Sequence, residues 1–86
     1  MSSTHDWMHP GDCRILQCLE EHAPEYAPLV ATRVGMSSGY VQRRLDVLTE
    51  RGFVTRGGDG VVYGVADRGE RYLAATRGEE STHPQQ

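Results

Sequence analysis

The tripeptide Gly35-Met36-Ser37 lies between two amphipathic stretches and limits how they can be arranged. Upstream, "LVATRV" predicts a short helix that starts at Pro28 and buries Leu29, Val30 and Val34. Gly35 then suits the left-handed backbone conformation in which many helices end. Downstream, Ser37 is a good N-cap for a helix over 38–51, which Gly52 closes. In that helix Val41, Leu45 and Leu48 recur at i, i+4 and i+7, and Tyr40 and Val47 widen the stripe. Two helices joined by so short a turn make a helix-turn-helix pattern.

The flanking chain completes one small domain. An earlier helix opens at Pro10, a residue favoured at the first helical position, with Asp12 complementing the exposed N–H groups of the first turn. Ile15, Leu16 and Leu19 give it an apolar stripe, and Ala23-Pro24 ends it near His22. Trp7 and Met8, just before it, read as a hydrophobic lid on the core. Past Gly52 the period changes. "FVTR-GGDG-VVYGV" reads as two strands around a glycine-rich reversal, a hairpin over 53–65. "DRGERYLAATR" reads as a final helix over 67–77, with Asp67 as N-cap and Tyr72, Leu73 and Ala75 facing inward. The expected architecture is α+β: three helices, a two-stranded wing and a C-terminal helix, a winged helix-turn-helix. Residues 1–9 form a lead-in, 10–77 the domain, and 78–86, which lack apolar side chains, a disordered tail.

Several functions are disfavoured by composition. No apolar run approaches the roughly 18 residues of a membrane span. The first ten residues lack the basic and apolar regions of a signal peptide, so a cytoplasmic protein is expected. Cys13 and Cys18, five apart, would lie about 140° apart on a helix and could not bridge each other. They read as free buried thiols; the pairs His9/Cys13 and Cys18/His22 fall on different faces and match no common metal spacing. "GGDG" has the glycines of a phosphate loop but neither its lysine nor its following helix. No nucleophile elbow or catalytic spacing occurs, so neither an enzyme, a small-molecule substrate, a metal nor a cofactor is expected. All nine basic side chains are arginine, against twelve acids, a signature expected of a salt-adapted organism or of a GC-rich genome.

"PLVATRVGMSSGYVQRRLDVLTERGFV" followed by "VVYGVADRGERYL" resembles the winged-helix repressor-like proteins of halophilic archaea related to the phage phi-H repressor. More broadly it is similar to small archaeal and bacterial winged-helix transcription regulators. The likeness spans residues 5–75: the "DWMHP" lead-in, the "GYVxRRxDVLTExGxV" helix and turn, and the "RGERYL" close. It implies binding to double-stranded DNA, with the third helix reading the major groove and the hairpin acting as a wing on backbone or minor groove. One departure weakens the wing as a phosphate binder: its tip carries Asp59, with Arg56 as the cation beside it.

Charge placement agrees with that implication. Residues 33–58 hold Arg33, Arg43, Arg44, Arg51 and Arg56 against Asp46 and Glu50, in a chain whose net charge is −3. The exposed side of the third helix should present Ser38, Gly39, Gln42 and Arg43, with Tyr40 at its border. Arg43 could fork onto guanine O6 and N7, and Gln42 onto adenine N6 and N7. Gly39 would let the backbone approach closely, and Ser38 or Tyr40 could bond phosphate. Ser37 at the cap, Arg44 and Arg56 complete the candidate DNA-binding set. Competing readings stay open: Arg43 as solvated surface, Arg44 paired with an acid elsewhere, Ser37 as a cap alone. The rival function is a protein-interaction winged helix, an adaptor or anti-repressor, which the acidic balance and Asp59 favour. Against it, the exposed helix face offers no apolar anchor. A domain this small, with few contacts, is expected to act as a homodimer.

Overall fold

The structure, a computed structural model, describes residues 6–78. Helices α1 (Pro10–His22), α2 (Ala27–Val34) and α3 (Ser38–Glu50) precede a hairpin of β2 (Val54–Gly57) and β3 (Val62–Val65), and α4 (Asp67–Thr76) closes the domain. A further strand, β1 (Glu25–Tyr26), lies between α1 and α2. The expected tail past Gly78 and the first five residues of the lead-in lie outside the described residues.

Local chemistry sets the helix ends as anticipated. Ser37 Oγ accepts the Tyr40 N–H at 3.2 Å, satisfying one of the unpaired donors at the start of α3. Gly35 adopts φ 72°, ψ 33°, and the Met36 N–H reaches back to the Ala31 carbonyl at 3.0 Å to finish α2. At α4 the outcome differs: Ala66 is the N-cap and Asp67 is already the first helical residue. Ala66 donates its N–H to the Phe53 carbonyl at 3.0 Å, so the chain leaves the sheet there and the helix begins immediately after.

The core is shared by all layers. Ile15, Leu16 and Leu19 of α1 meet Val30 of α2, Val41, Leu45 and Leu48 of α3, and Leu73 of α4, all with no measurable exposure. Phe53, Val54 and Tyr63 close it from the hairpin side, and Trp7 and Met8 pack against it as a lid. Trp7 meets Phe53 edge to face with ring centroids 5.4 Å apart. Two inward assignments are corrected. Leu29 is 44% exposed, because Ala27, Val30, Ala31 and Val34 form the inner face of α2. Ala75 is exposed too, while Gly69 and Leu73 are the buried residues of α4.

The sheet has three strands rather than the two of a bare hairpin, in the order β1-β3-β2, all antiparallel. Glu25 pairs with Tyr63 and Tyr26 with Val62, so β1 braces the outer edge of the wing. Across β2 and β3, Arg56 faces Tyr63 directly. The reversal between them places Gly58, Asp59 and Gly60 all at positive φ, which the two glycines adopt without penalty and aspartate tolerates.

Candidate nucleic-acid interface

The first two turns of α3 are anchored on their inner side and exposed on their outer side. Val41 and Leu45 hold the helix in the core, while Ser37, Ser38, Gly39, Gln42 and Arg43 are exposed. A side chain built at Gly39 would meet nothing within 4 Å, so the backbone there is open to close approach. Tyr40 is half-buried at the border. Its hydroxyl lies 3.1 Å from His9 Nδ1, and the two rings stack with centroids 6.1 Å apart. Met36 and the Tyr40 hydroxyl crowd Gly11, where an added Cβ would lie 3.0 Å from Met36 Cε. The turn and the start of α3 are thus seated on the N-terminus of α1.

Arg44 departs from the expected phosphate contact. It points inward with 9% exposure, and its guanidinium grips Asp12 through Nε at 2.9 Å and Nη2 at 2.8 Å. Asp12 is fully buried and also accepts the His9 N–H at 3.0 Å. The hydrogen bond to Asp12 raises the Arg44 pKa further above its usual value, against the opposing effect of burial. Of the readings left open for Arg44, the structure has the internal ion pair. The physical reason is position: Arg44 precedes Leu45 on the inner flank of the helix, where only a paired charge is tolerated.

The remaining arginines of the segment are also largely engaged. Arg33 pairs with Glu25 at 2.8 Å, and Arg56 with Asp46 at 2.9 Å. Arg51 lies over the Trp7 ring, 4.8 Å from its centroid. Arg43 is exposed and, among the described residues, makes no side-chain hydrogen bond or ion pair. Of the five arginines, Arg43 and Arg51 close no ion pair among the described residues, and Arg43 is the one near the front of α3.

Arg56 folds back from the wing onto the helix. Its Cζ sits 5.3 Å from the centroid of the Tyr63 ring directly across the hairpin. Gln42 joins the same cluster, donating to Asp46 Oδ1 at 3.2 Å and to the Tyr63 hydroxyl at 2.9 Å. Asp46, Tyr63, His9 and Asp12 were not among the candidate residues. The i, i+4 spacing of Gln42 and Asp46 carried a signal for the first; the others depend on contacts distant in sequence.

The cysteines stay apart from this face. Cys18 is buried in the core and its thiol is pushed above the usual value by that burial, while Cys13 is half-buried. Among the described residues no group of three or more histidine, cysteine or acidic side chains is placed to hold a metal, and no helix is long and apolar enough to cross a membrane.

Helix, turn, helix and wing in this order recur among solved structures. The MarR repressor of Listeria monocytogenes superposes with a TM-score of 0.77 at 11% identity, over 85% of this chain and 52% of that one. A MarR family transcriptional regulator of Silicibacter pomeroyi gives 0.69 at 24% identity, over 90% and 60%. The Zα domain of Carassius auratus PKZ, crystallised in complex with Z-DNA, gives 0.59 at 20% identity, over 63% and 89%. These likenesses are of fold, and the chain spans about half the length of the MarR family regulators it matches. No curated protein matches the chain. A family model, winged helix-turn-helix phage repressor, matches residues 1–81, and to that family the chain belongs.

Proposed function

We propose that the chain is a sequence-specific regulator of transcription, a repressor, that binds double-stranded DNA with α3 in the major groove. The wing lies against the flanking backbone or minor groove. One observation carries this reading: the outer side of the first two turns of α3 is exposed, with Gly39 open and Arg43 unpaired among the described residues. Helix-turn-helix proteins insert that half of the recognition helix, and an unpaired arginine fork there fits guanine O6 and N7. Ser37, Ser38 and Tyr40 border the helix N-terminus, where phosphate oxygens are favoured. Domain 10–77 holds this machinery. The apolar anchors an interaction helix would need are missing from this face, so DNA is preferred to a protein partner.

The family resemblance and the lysine-free, acidic composition support a cytoplasmic protein of a halophilic archaeon. In molar salt the Debye length falls to about 3 Å, so repulsion between an acidic protein and DNA is screened. Affinity also falls by about 0.9 log unit per contacted phosphate for each tenfold rise in salt, so base contacts and a second copy must carry more of the binding. The working unit is accordingly a homodimer on a two-fold site.

Selection from a random-duplex pool at low and near-molar salt tests this, with Arg43→Ala as control. A palindromic site that survives high salt is expected, with Arg43→Ala relaxing it at one base pair by about 1–3 kcal/mol. A folded protein that enriches nothing at either salt refutes DNA binding, and a monomer by light scattering at working concentration refutes the dimer.

A further inference from the structure

Gln42 is committed by its neighbours before any DNA arrives. Its Nε2 lies 3.2 Å from Asp46 Oδ1 and 2.9 Å from the Tyr63 hydroxyl. A carboxylate only accepts hydrogen bonds, so the amide must turn its nitrogen, not its oxygen, toward Asp46. The phenolic oxygen takes the other N–H. An amide nitrogen carries two donors, and here both are used, which leaves Oε1 as the group Gln42 can offer outward.

The neighbours are themselves held in place. Tyr63 is 4% exposed and stands in the central strand of the sheet. Arg56, opposite it in register, lies over its ring and closes onto the same Asp46 oxygen at 2.9 Å. Gln42, Asp46, Arg56 and Tyr63 thus form a closed ring of contacts drawn from α3, β2 and β3. Turning Gln42 to free a donor means breaking a bond in that ring.

Resting on the DNA-binding reading above, we infer that Gln42 reads its base as an acceptor alone, through an exocyclic amino group. In the major groove adenine N6 and cytosine N4 carry such groups, whereas guanine and thymine present acceptors there. The two-pronged grip on adenine also needs a donor for N7, and Asp46 and Tyr63 have taken both. They are positioning residues: they touch no base, yet they set which bases Gln42 accepts. The operator position under Gln42 should therefore admit adenine and cytosine alike and reject guanine and thymine.

The same selection, run with wild type, Gln42→Ala, Tyr63→Phe and Asp46→Ala, tests this. Gln42→Ala identifies the position by flattening its preference. There the wild type should take adenine and cytosine within about threefold of each other and disfavour guanine and thymine by roughly tenfold or more. Tyr63→Phe keeps the buried ring but returns one donor to Gln42. Adenine should then outrun cytosine by roughly tenfold, with helicity and melting unchanged. Asp46→Ala, on the exposed face, should move the ratio the same way. A wild type that rejects cytosine there, or an adenine-to-cytosine ratio unmoved by both variants, overturns the inference. So does an enriched site on which Gln42→Ala has no effect, although DNA binding would then stand. No enriched site at all overturns both.

Discussion

Replacing Arg44 by alanine would leave Asp12 as a buried carboxylate with most of its donors gone. Asp12 accepts from Arg44 Nε at 2.9 Å, Arg44 Nη2 at 2.8 Å and His9 N at 3.0 Å, and after the substitution only the last remains. Removing one partner of a buried ion pair costs about 3–5 kcal/mol. A domain spanning residues 10–77, at about 0.05–0.15 kcal/mol per residue, has roughly 3–10 kcal/mol in total. Arg44→Ala should therefore lower the melting temperature by at least about 12 °C, taking about 4–8 °C per kcal/mol. Circular dichroism melts at fixed salt measure it. The decisive comparison is Arg44→Met with Asp12→Leu, which removes both charges and should restore most of the stability. If Arg44 serves only the fold, that double variant binds its selected site with unchanged affinity and salt dependence. A single variant that melts within about 4 °C of wild type would refute the buried-pair reasoning. A folded double variant whose log–log salt slope is smaller by about one would show instead that Arg44 reaches a phosphate.

Two glycines in helices should respond in opposite directions. Gly69→Ala ought to destabilise α4 although alanine is the better helix former by about 1 kcal/mol, because its Cβ would run into the Phe53 carbonyl oxygen and lie 2.9 Å from Val65 Cγ1. A melt that rises refutes that packing. Gly39→Ala meets open space and should raise stability by up to about 1 kcal/mol while weakening the selected site by roughly tenfold, one good contact's worth. Unchanged binding would show that the backbone does not come close to DNA there.

What could be read from sequence was what is decided within a few residues. The Ser37 cap is a bond from Tyr40 N–H three residues on, and the Gly35 stop depends on one φ angle, so both were legible. The α3 stripe was legible because Val41, Leu45 and Leu48 leave a single consistent inner face. The eight residues of α2 gave no such consensus. Leu29 and Val30 are adjacent on the helix, and the inner face of α2 centres on Ala27, Val30, Ala31 and Val34, which leaves Leu29 on the outer side. Strand β1 escaped because two residues show no alternation, and it exists only through Tyr63 and Val62, more than thirty positions away. The same distance hid the Arg44–Asp12 pair, which spans 32 positions.

Counting charges misled in a particular way. Five arginines between 33 and 58 counted as an excess of positive charge on that segment, yet three of them close ion pairs with Glu25, Asp12 and Asp46. The Arg44 pair fixes α3 onto α1, the Arg33 pair joins α2 to β1, and the Arg56 pair ties the wing to α3. Most of the positive charge in this segment thus serves to tie elements of the fold together, two of the three pairs holding α3. A surface built this way has few free cations with which to displace counterions, so its affinity for DNA of arbitrary sequence should be low at any salt. On the proposed reading, discrimination rests on geometry: the Arg43 guanidinium, the Gln42 amide whose donors are already taken, and the open Gly39 between them and the cap. Gln42 is the member of that set ordered in advance, by Asp46 and Tyr63, and on the proposed reading that preorganisation offsets the small number of contacts.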